Sequence, residues 1–419
     1  MIIQVFKQIW AQRKSNIWLF MELFLVGIFL WIIVDKAIVD IYTYIQPKGF
    51  DSSHVYQIKL GKLQEGIKGY IPNDQLTTTD AEDLYKLMEQ IRLLPGVESV
   101  AGSFYSMFYT HSNSYNMLVR DTANMDYNDN YRVRRVTPEF FDVFQIRTET
   151  GERILPDSLT PNSVVISGEI KEKLFRDEYA IGQPLIYGYK DFKERIVTSV
   201  CNPIRNDEYS RTEPNFFICL IGPEFLELLE YFDITNFEVI MRVNPNFDRD
   251  YIDTFISNMG ERATVNNLYV TSIIPFSDIR SKMLNSYMME RKTQLSFMAF
   301  ILLNVFFGII ATFWLRTGYR RGEIGLRMAL GASSSSIFKY LFWEGTCLLA
   351  ATFIPLIFVT LAISQGEYIE TERLPFTVWR YILDIIITYL LMFIMIVLGI
   401  FYPAKRSAEV DPSEALHYE

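Results

Sequence analysis

Residue patterns that could support catalysis are scarce in this sequence. Its three histidines, His54, His111 and His417, form no H-E-x-x-H motif and no Cys/His spacing that suits a zinc site. The segment 325–333 resembles a phosphate-binding loop, but Gly331 is followed by Ala332 where such a loop has lysine. We therefore expect no catalytic residue, no metal site and no cofactor bound by this chain. If ATP drives the protein, a partner chain binds the ATP with its magnesium and hydrolyses it.

Three acidic residues, Glu22, Glu344 and Asp384, stand within long apolar runs, where charge is costly and often functional. The alternative is that each makes a polar contact at an interface between helices, and both interpretations stay open. Lys339 and Arg380 lie close to the ends of such runs, so their charged groups can extend to the membrane surface. These groups are too few to line a proton-relay path.

The cysteines give a compartment-dependent prediction. Cys201 and Cys219 share the polar part of the chain and can form a disulfide if that part lies in an oxidising compartment. The alternative is two unpaired, buried thiols. Cys347 lies inside an apolar run.

Composition indicates a membrane protein. The mean hydropathy of +0.11 is high for a chain in which 21% of the residues are charged, because a polar block separates four long apolar runs. Each run approaches the roughly 20 residues that cross a bilayer. We predict spans at 17–34, 295–315, 337–363 and 382–401. The first run is too long for a signal peptide, and no A-x-A site follows it, so we expect a retained anchor.

Basic residues predict the orientation of these spans. Lys and Arg precede the first span, follow the second and follow the fourth, which is the pattern of cytoplasmic segments. The predicted cytoplasmic segments are 1–16, 316–336 and 402–419, and the extracytoplasmic ones are 35–294 and 364–381. Both termini are then cytoplasmic. The net charge of −9, with no long basic stretch, argues against nucleic acid as a partner.

The long extracytoplasmic block contains two similar strand–helix–strand patterns. The first joins the alternating segment 55–60, a helix that begins with a capping box at 79–82, and a strand at 97–101. The second joins 237–243, a helical stripe at 251–259 and an extended segment at 264–271. We expect these two units to pair into one sheet with helices on a single face. Between them, 138–236 is rich in short β-prone runs and predicts a second subdomain.

These observations define the expected fold class: a membrane protein with four transmembrane α-helices plus an α+β extracytoplasmic domain that contains an inserted β-rich subdomain. The segment 277–293 has helical periodicity and no breaker before the second span. We therefore expect a stalk helix that carries force between the outer domain and the membrane.

The segment after the second span carries the most specific signal. It reads R-x-x-E-I-G-x-x-x-A-L-G-A from Arg320 to Ala332, and Glu344 follows early in the third span. Its pattern of charged and apolar residues is typical of an amphipathic helix on a membrane surface. The string resembles the signature of MacB/FtsX-type ABC transporter permeases. The resemblance implies an ATPase-coupling role for Arg320, Arg321, Glu323, Ile324, Arg327, Leu330 and Gly331.

Other segments support the same resemblance. The ending 410–416, V-D-P-S-E-A-L, is similar to that of the family, and 136–144 and 163–167 resemble its periplasmic core domain. This sequence departs from full-length MacB in showing no pattern of a nucleotide-binding domain, and we expect none to be fused to it. The resemblance therefore implies a separate ABC ATPase subunit, a homodimer or a pair with a paralogous permease, and an inner-membrane location surrounded by membrane lipids. A periplasmic adaptor and an outer-membrane duct are implied for the MacB-like branch.

The implied mechanism is mechanotransmission: ATP hydrolysis in the partner moves the periplasmic domain, which serves efflux or export of a periplasmic substrate. Two related outcomes stay open, lipoprotein release as in LolC/LolE-like relatives and control of cell-wall hydrolases as in FtsX-like ones. A different class also stays open, a membrane-anchored sensor or scaffold that needs no ATPase.

Overall fold

The structure is a computed structural model that describes residues 13–111, 114–122, 129–188, 192–259, 263–319, 322, 326–327, 330–366 and 368–408. The chain divides into two compact units. We call residues 1–44 with 288–419 the helical unit and residues 45–287 the sheet unit.

The helices and strands are numbered here in chain order. The helices are α1 Arg13–Ile45, α2 Asp80–Arg92, α3 Phe140–Val143, α4 Gly168–Phe175, α5 Pro223–Tyr231, α6 Tyr251–Met259, α7 Phe276–Tyr319, α8 Ser334–Ser364 and α9 Val378–Ala408. The strands are β1 Val55–Lys62, β2 Val97–Phe104, β3 Tyr115–Val119, β4 Asn130–Val136, β5 Ser163–Ser167, β6 Pro184–Tyr187, β7 Lys193–Cys201, β8 Asn215–Cys219, β9 Phe237–Val243, β10 Thr264–Val265 and β11 Leu268–Pro275.

Four helices are long and apolar enough to cross a membrane, among the residues that the structure describes: α1, α7, α8 and α9. Each contains one of the spans predicted from the sequence. Within the helical unit, apolar side chains of α1, α8 and α9 form one core, represented by Leu23, Leu348 and Ile396. Exposed apolar residues cover much of the remaining surface of these helices, as expected when the solvent is a bilayer.

The first part of the sheet unit is an antiparallel sheet with the strand order β11-β1-β9-β2. Helices α2 and α6 pack on one face of it, through residues such as Leu84, Leu87 and Phe255. Helix α2 begins with the predicted capping box: the Thr79 N–H donates to the Glu82 carboxylate, and the Glu82 N–H donates to the Thr79 hydroxyl. The expectation of one sheet built from two distant strand–helix–strand units, with its helices on a single face, is confirmed.

The second part of the sheet unit is a closed ring of six strands in the order β4-β3-β6-β7-β5-β8, which closes because β8 also pairs with β4. Buried side chains including Val133, Ile166 and Phe216 fill its interior. The predicted subdomain began at residue 138, but the ring already starts at β3. Strand β4 is shared: its last residues pair with β2, and its length pairs with β8. Because β4 belongs to both parts of the sheet unit, the hydrophobic pattern of the sequence shows no boundary between the two parts.

An aromatic cluster joins these two parts within the sheet unit. Phe50 stacks on Phe108 with ring centroids 3.8 Å apart, and Phe144 contacts both rings edge-on. Phe276, the first residue of α7, is buried in the same cluster and packs against Phe144. Helix α7 therefore starts inside a core. It continues to Tyr319 as one helix that contains both the predicted stalk and the predicted second span.

Candidate functional site

The predicted coupling segment is described only in part. Arg320, Arg321, Glu323 and Ile324 lie outside the described residues. Gly331 has a φ of +95°, and the Ala332 N–H donates to the Arg327 carbonyl at 2.9 Å. This pairing is the Schellman motif that ends helices at a left-handed glycine. The prediction that Gly331 ends a helix is confirmed.

Two side chains of this segment have defined surroundings. The Arg327 guanidinium carbon lies 4.3 Å from the centroid of the Tyr340 ring in α8, a cation–π distance. Leu330 is 80% exposed. A large apolar side chain at the tip of a capped turn is available for contact with another protein or with lipid.

Glu22 makes a polar contact between two helices of the helical unit. The Thr312 hydroxyl of α7 donates to the Glu22 carboxylate of α1 at 3.2 Å. Gly308 lies one turn before Thr312, and a Cβ there would stand 2.7 Å from the Glu22 carboxylate. The missing side chain lets the two helices approach, so the structure supports the interpretation of Glu22 as a contact at a helix interface.

Asp384 belongs to a buried charge cluster at α1 and α9. Arg380, one turn before it, makes a bidentate pair with Asp35 of α1, with N–O distances of 2.9 and 3.0 Å. Asp384 is fully buried, and Arg380 and Asp35 are nearly so. The expectation that Arg380 extends to the membrane surface is therefore wrong, because Asp35 supplies a buried partner. Glu344, the third acidic residue, is also buried, in α8.

A second ion-pair network was not foreseen from the sequence. Asp40 of α1 pairs with Arg291 of α7, and its Oδ1 lies 2.9 Å from Arg373 in the loop before α9. Arg373 also pairs with Glu370 of the same loop. Charged residues near the ends of the predicted spans were visible in the sequence. The sequence does not show which of them pair, because the partners are more than 250 residues apart.

The possibility of a Cys201–Cys219 disulfide is not realised. Both cysteines are buried, and neither forms a disulfide. Strand β5 separates their strands: Cys201 lies opposite Ser167 at one end of β5, and Ile218 lies opposite Val164 near the other end. Two strand spacings alone separate the Cα atoms by roughly 10 Å, beyond the reach of a disulfide. Burial raises the pKa of the Cys201 thiol, so it is held unreactive.

A buried carboxylate organises the start of α7 within the sheet unit. The Glu208 Oε1 accepts from the Arg280 Nε at 2.7 Å, the Tyr109 hydroxyl at 2.9 Å and the Lys48 Nζ at 3.3 Å. Burial favours the neutral acid, but the hydrogen bond from Arg280 and the charge of Lys48 outweigh it, so the pKa of Glu208 is lowered. The loop that carries Glu208 is thereby attached both to the start of α7 and to the segment after α1.

An open cleft of about 740 Å³ also lies within the sheet unit. One wall is a face of α2 with Glu82, Tyr85 and Glu89, which are three or four residues apart and so lie on one side of the helix. Leu220 after β8 and Phe225 and Leu226 of α5 also line the cleft, together with Lys86, Arg92, Thr137, Pro138, Glu139, Pro156, Asp157 and Leu159. Sequence reasoning assigned no site to these residues. Among the described residues, no group of three or more His, Cys, Asp or Glu could hold a metal ion.

Comparison with known families identifies the family of this membrane protein. The FtsX-like permease C-terminal family matches residues 295–412, and the MacB-like periplasmic core domain family matches residues 25–210. This chain is a MacB/FtsX-type ABC transporter permease. The permease is thus a membrane subunit of a family whose members work with a separate ATPase.

Solved structures of related domains are similar to the permease. The periplasmic region of MacB from Actinobacillus actinomycetemcomitans is 14% identical, with a TM-score of 0.32, over 58% of this chain and 98% of that one. A permease domain from Porphyromonas gingivalis is 16% identical, with a TM-score of 0.33, over 55% and 92%. The extracellular domain of the ABC-type transporter YknZ from Gram-positive bacteria is 15% identical, with a TM-score of 0.29, over 52% and 100%. No curated protein is significantly similar in sequence.

Proposed function

We propose that the permease couples ATP hydrolysis by a separate ABC ATPase to movement of its periplasmic core domain, and that this movement serves efflux or export of a periplasmic substrate. The ATPase partner holds the ATP and magnesium. The observation that carries the proposal is helix α7, a single helix of 44 residues. Its first turns lie in a protein core, and its later turns form a membrane span.

The anchoring of α7 supports a mechanical role. Phe276 and Met283 are buried in the aromatic core of the sheet unit, and Arg280, one turn from each, pairs with Glu208. A helix fixed by both apolar packing and an ion pair cannot shift without moving the groups that hold it. Closely packed interiors transmit displacement in this way.

The cytoplasmic contact is assigned to the segment around Leu330. The distribution of basic residues supports cytoplasmic termini and a cytoplasmic position for 316–336. There, the turn closed by Gly331 presents Leu330 to solvent. An exposed apolar side chain three residues from the basic Arg327 is a suitable centre for a protein contact.

The proposed assembly has two permeases, either two copies of this chain or this chain with a paralogous one, and two ATPases in the inner membrane. A periplasmic adaptor and an outer-membrane duct complete it. The resemblance to the MacB-like branch and the presence of an inserted β-rich subdomain support this arrangement.

The test compares two exposed leucines. Leu330 and Leu93 are 80% and 84% exposed, and Leu93 follows α2 in the sheet unit. We expect Leu330→Asp to abolish co-purification of the ATPase in mild detergent, whereas Leu93→Asp retains it. Equal expression of both variants shows that insertion is unaffected. An ATPase that is missing from the wild-type preparation would contradict the proposal and favour a sensor or scaffold. An ATPase retained by Leu330→Asp would contradict the contact assigned to Leu330.

A further inference from the structure

The cleft beside α2 has the size and apolar lining of a ligand site. Its volume of about 740 Å³ falls within the range of roughly 300–1,000 Å³ that is usual for sites of drug-sized molecules. Tyr85 and Leu226 both line it, and 59% and 43% of their surfaces are accessible. Single exposed apolar side chains are normal on a protein surface, whereas several that remain exposed together in a concave surface mark a binding site.

The charges that line the cleft are predominantly negative. Four carboxylates and two cations line it, which leaves an excess of two negative charges. Arg92 is already engaged, because it pairs with Glu89 at 2.6 Å and with Glu139 at 3.5 Å. Lys86 is then the one remaining lining cation among the described residues, against the carboxylates of Glu82 and Asp157.

The position and charge of Glu82 are set by the helix that carries it. The carboxylate accepts the Thr79 N–H at 2.8 Å as part of the capping box. This hydrogen bond lowers the pKa of Glu82, so the side chain remains ionised at neutral pH. Tyr85 follows three residues later on the same face of α2. A fixed anion therefore stands beside an exposed aromatic ring, the combination that attracts organic cations.

We propose that this cleft binds drug-sized cationic amphipathic molecules, with the apolar part against Tyr85 and Leu226 and the cation toward Glu82 and Asp157. The proposal rests on the proposed export function, for which it names a substrate class. Anionic amphipathic molecules would meet the same apolar walls but be repelled by the excess carboxylates. Neutral ones would gain the apolar contact alone.

The experiment measures binding to the full-length permease in a nonionic detergent, without ATPase or nucleotide. The probes are two xanthene dyes of similar shape and opposite charge, cationic rhodamine 6G and anionic sulforhodamine B, followed by fluorescence anisotropy. We expect saturable binding of rhodamine 6G and binding of sulforhodamine B that is at least about tenfold weaker. A tenfold ratio corresponds to about 1.4 kcal/mol.

Matched charge variants assign the site. Glu82→Gln with Asp157→Asn removes both carboxylates, and glutamine still completes a capping box. We expect this pair to weaken rhodamine 6G binding by roughly five- to tenfold. The control, Glu65→Gln with Asp177→Asn, makes the same charge change at exposed positions outside the cleft lining, and should leave binding unchanged. Tyr85→Ala should weaken binding by about two- to fivefold through loss of the ring.

The outcomes separate this inference from the proposed function. Equal affinity for both dyes, or equal loss in the test and control pairs, overturns it even if the ATPase co-purifies normally. Charge-selective binding that depends on Glu82, Asp157 and Tyr85 supports it even if no ATPase associates. A photo-reactive residue at position 85 that cross-links a partner protein in cells would make the cleft a protein-docking groove and would also overturn it.

Discussion

The Arg280 Nε lies 2.7 Å from the Glu208 Oε1, and this pair joins the second turn of α7 to a loop of the sheet unit. Lys48 and Tyr109 donate to the same oxygen. The two residues are 72 positions apart, and their contact ties the helix that becomes a membrane span to the body of the periplasmic domain. Its loss should therefore affect both stability and coupling.

Glu208→Gln should lower the free energy of unfolding by about 2 kcal/mol, because the amide removes the charge from hydrogen bonds to two cations. The thermal unfolding midpoint in detergent should fall accordingly. ATPase activity stimulated by the permease should fall more than ATPase co-purification does. Glu65→Gln, an exposed site, is the control; equal behaviour of the two variants would show that Glu208 has no anchoring role.

Glu208 should stabilise the folded protein less at acidic pH than at neutral pH. Its pKa in the folded protein is lowered, so its stabilising effect is present above the unfolded value of about 4.3. That effect is lost as the pH falls through the folded value. The stability difference between wild type and Glu208→Gln should be constant near neutral pH and shrink below about pH 4.5. A difference that grows on acidification would contradict the assigned ion pair.

Asp35→Asn should destabilise the helical unit by about 3–5 kcal/mol, because it leaves the buried Arg380 without its anion. Folded yield and the thermal midpoint after extraction are the measurements. Asp35→Leu combined with Arg380→Met removes the paired charges and should recover part of the loss, because Asp384 of the same cluster stays buried. If the double variant is as unstable as Asp35→Asn, packing and not charge explains the effect.

Gly331→Ala should weaken ATPase association while leaving membrane insertion intact. The φ of +95° places this residue where a Cβ costs about 1 kcal/mol or more, so the turn that presents Leu330 is no longer fixed. Gly318→Ala is the matched control, since Gly318 lies in α7 with nothing near its missing Cβ and alanine favours helix. Association that survives Gly331→Ala would mean that the turn is not part of the contact.

The two buried cysteines of the sheet unit predict a simple chemical behaviour. Because Cys201 and Cys219 are buried and form no disulfide, a maleimide–polyethylene glycol reagent should modify them only after denaturation, with or without a reducing agent. Modification that requires prior reduction would reinstate the disulfide.

Topology can be tested in a background from which all native cysteines have been removed. His111→Cys, at an exposed position of the sheet unit, should react with an impermeant thiol reagent once the outer membrane is permeable. Ser407→Cys should not react, because the distribution of basic residues predicts a cytoplasmic C-terminus. The reverse pattern would invert the proposed orientation.

The sequence by itself determined those features whose causes are local. A run of about 20 apolar residues must cross a bilayer whatever surrounds it, so the four spans could be located without knowing their partners. The Thr79–Glu82 capping box and the helix end at Gly331 depend on neighbouring residues alone. Matching strand–helix–strand patterns were likewise sufficient to predict that the two units pair into one sheet with helices on a single face, whereas its antiparallel order came from the structure.

Only the tertiary structure decided what depends on residues distant in the chain. Arg380 was expected at the membrane surface and is buried, because Asp35, 345 positions away, supplies its counter-charge. The closed ring includes β3 and β4 because β8 returns to pair with β4, and no local periodicity records that pairing. The cleft is lined by α2 together with residues 220–222 after β8, and these two segments are far apart in the sequence. Burial and strand pairing are properties of the assembled fold, and a residue's type fixes its chemistry but not its neighbours.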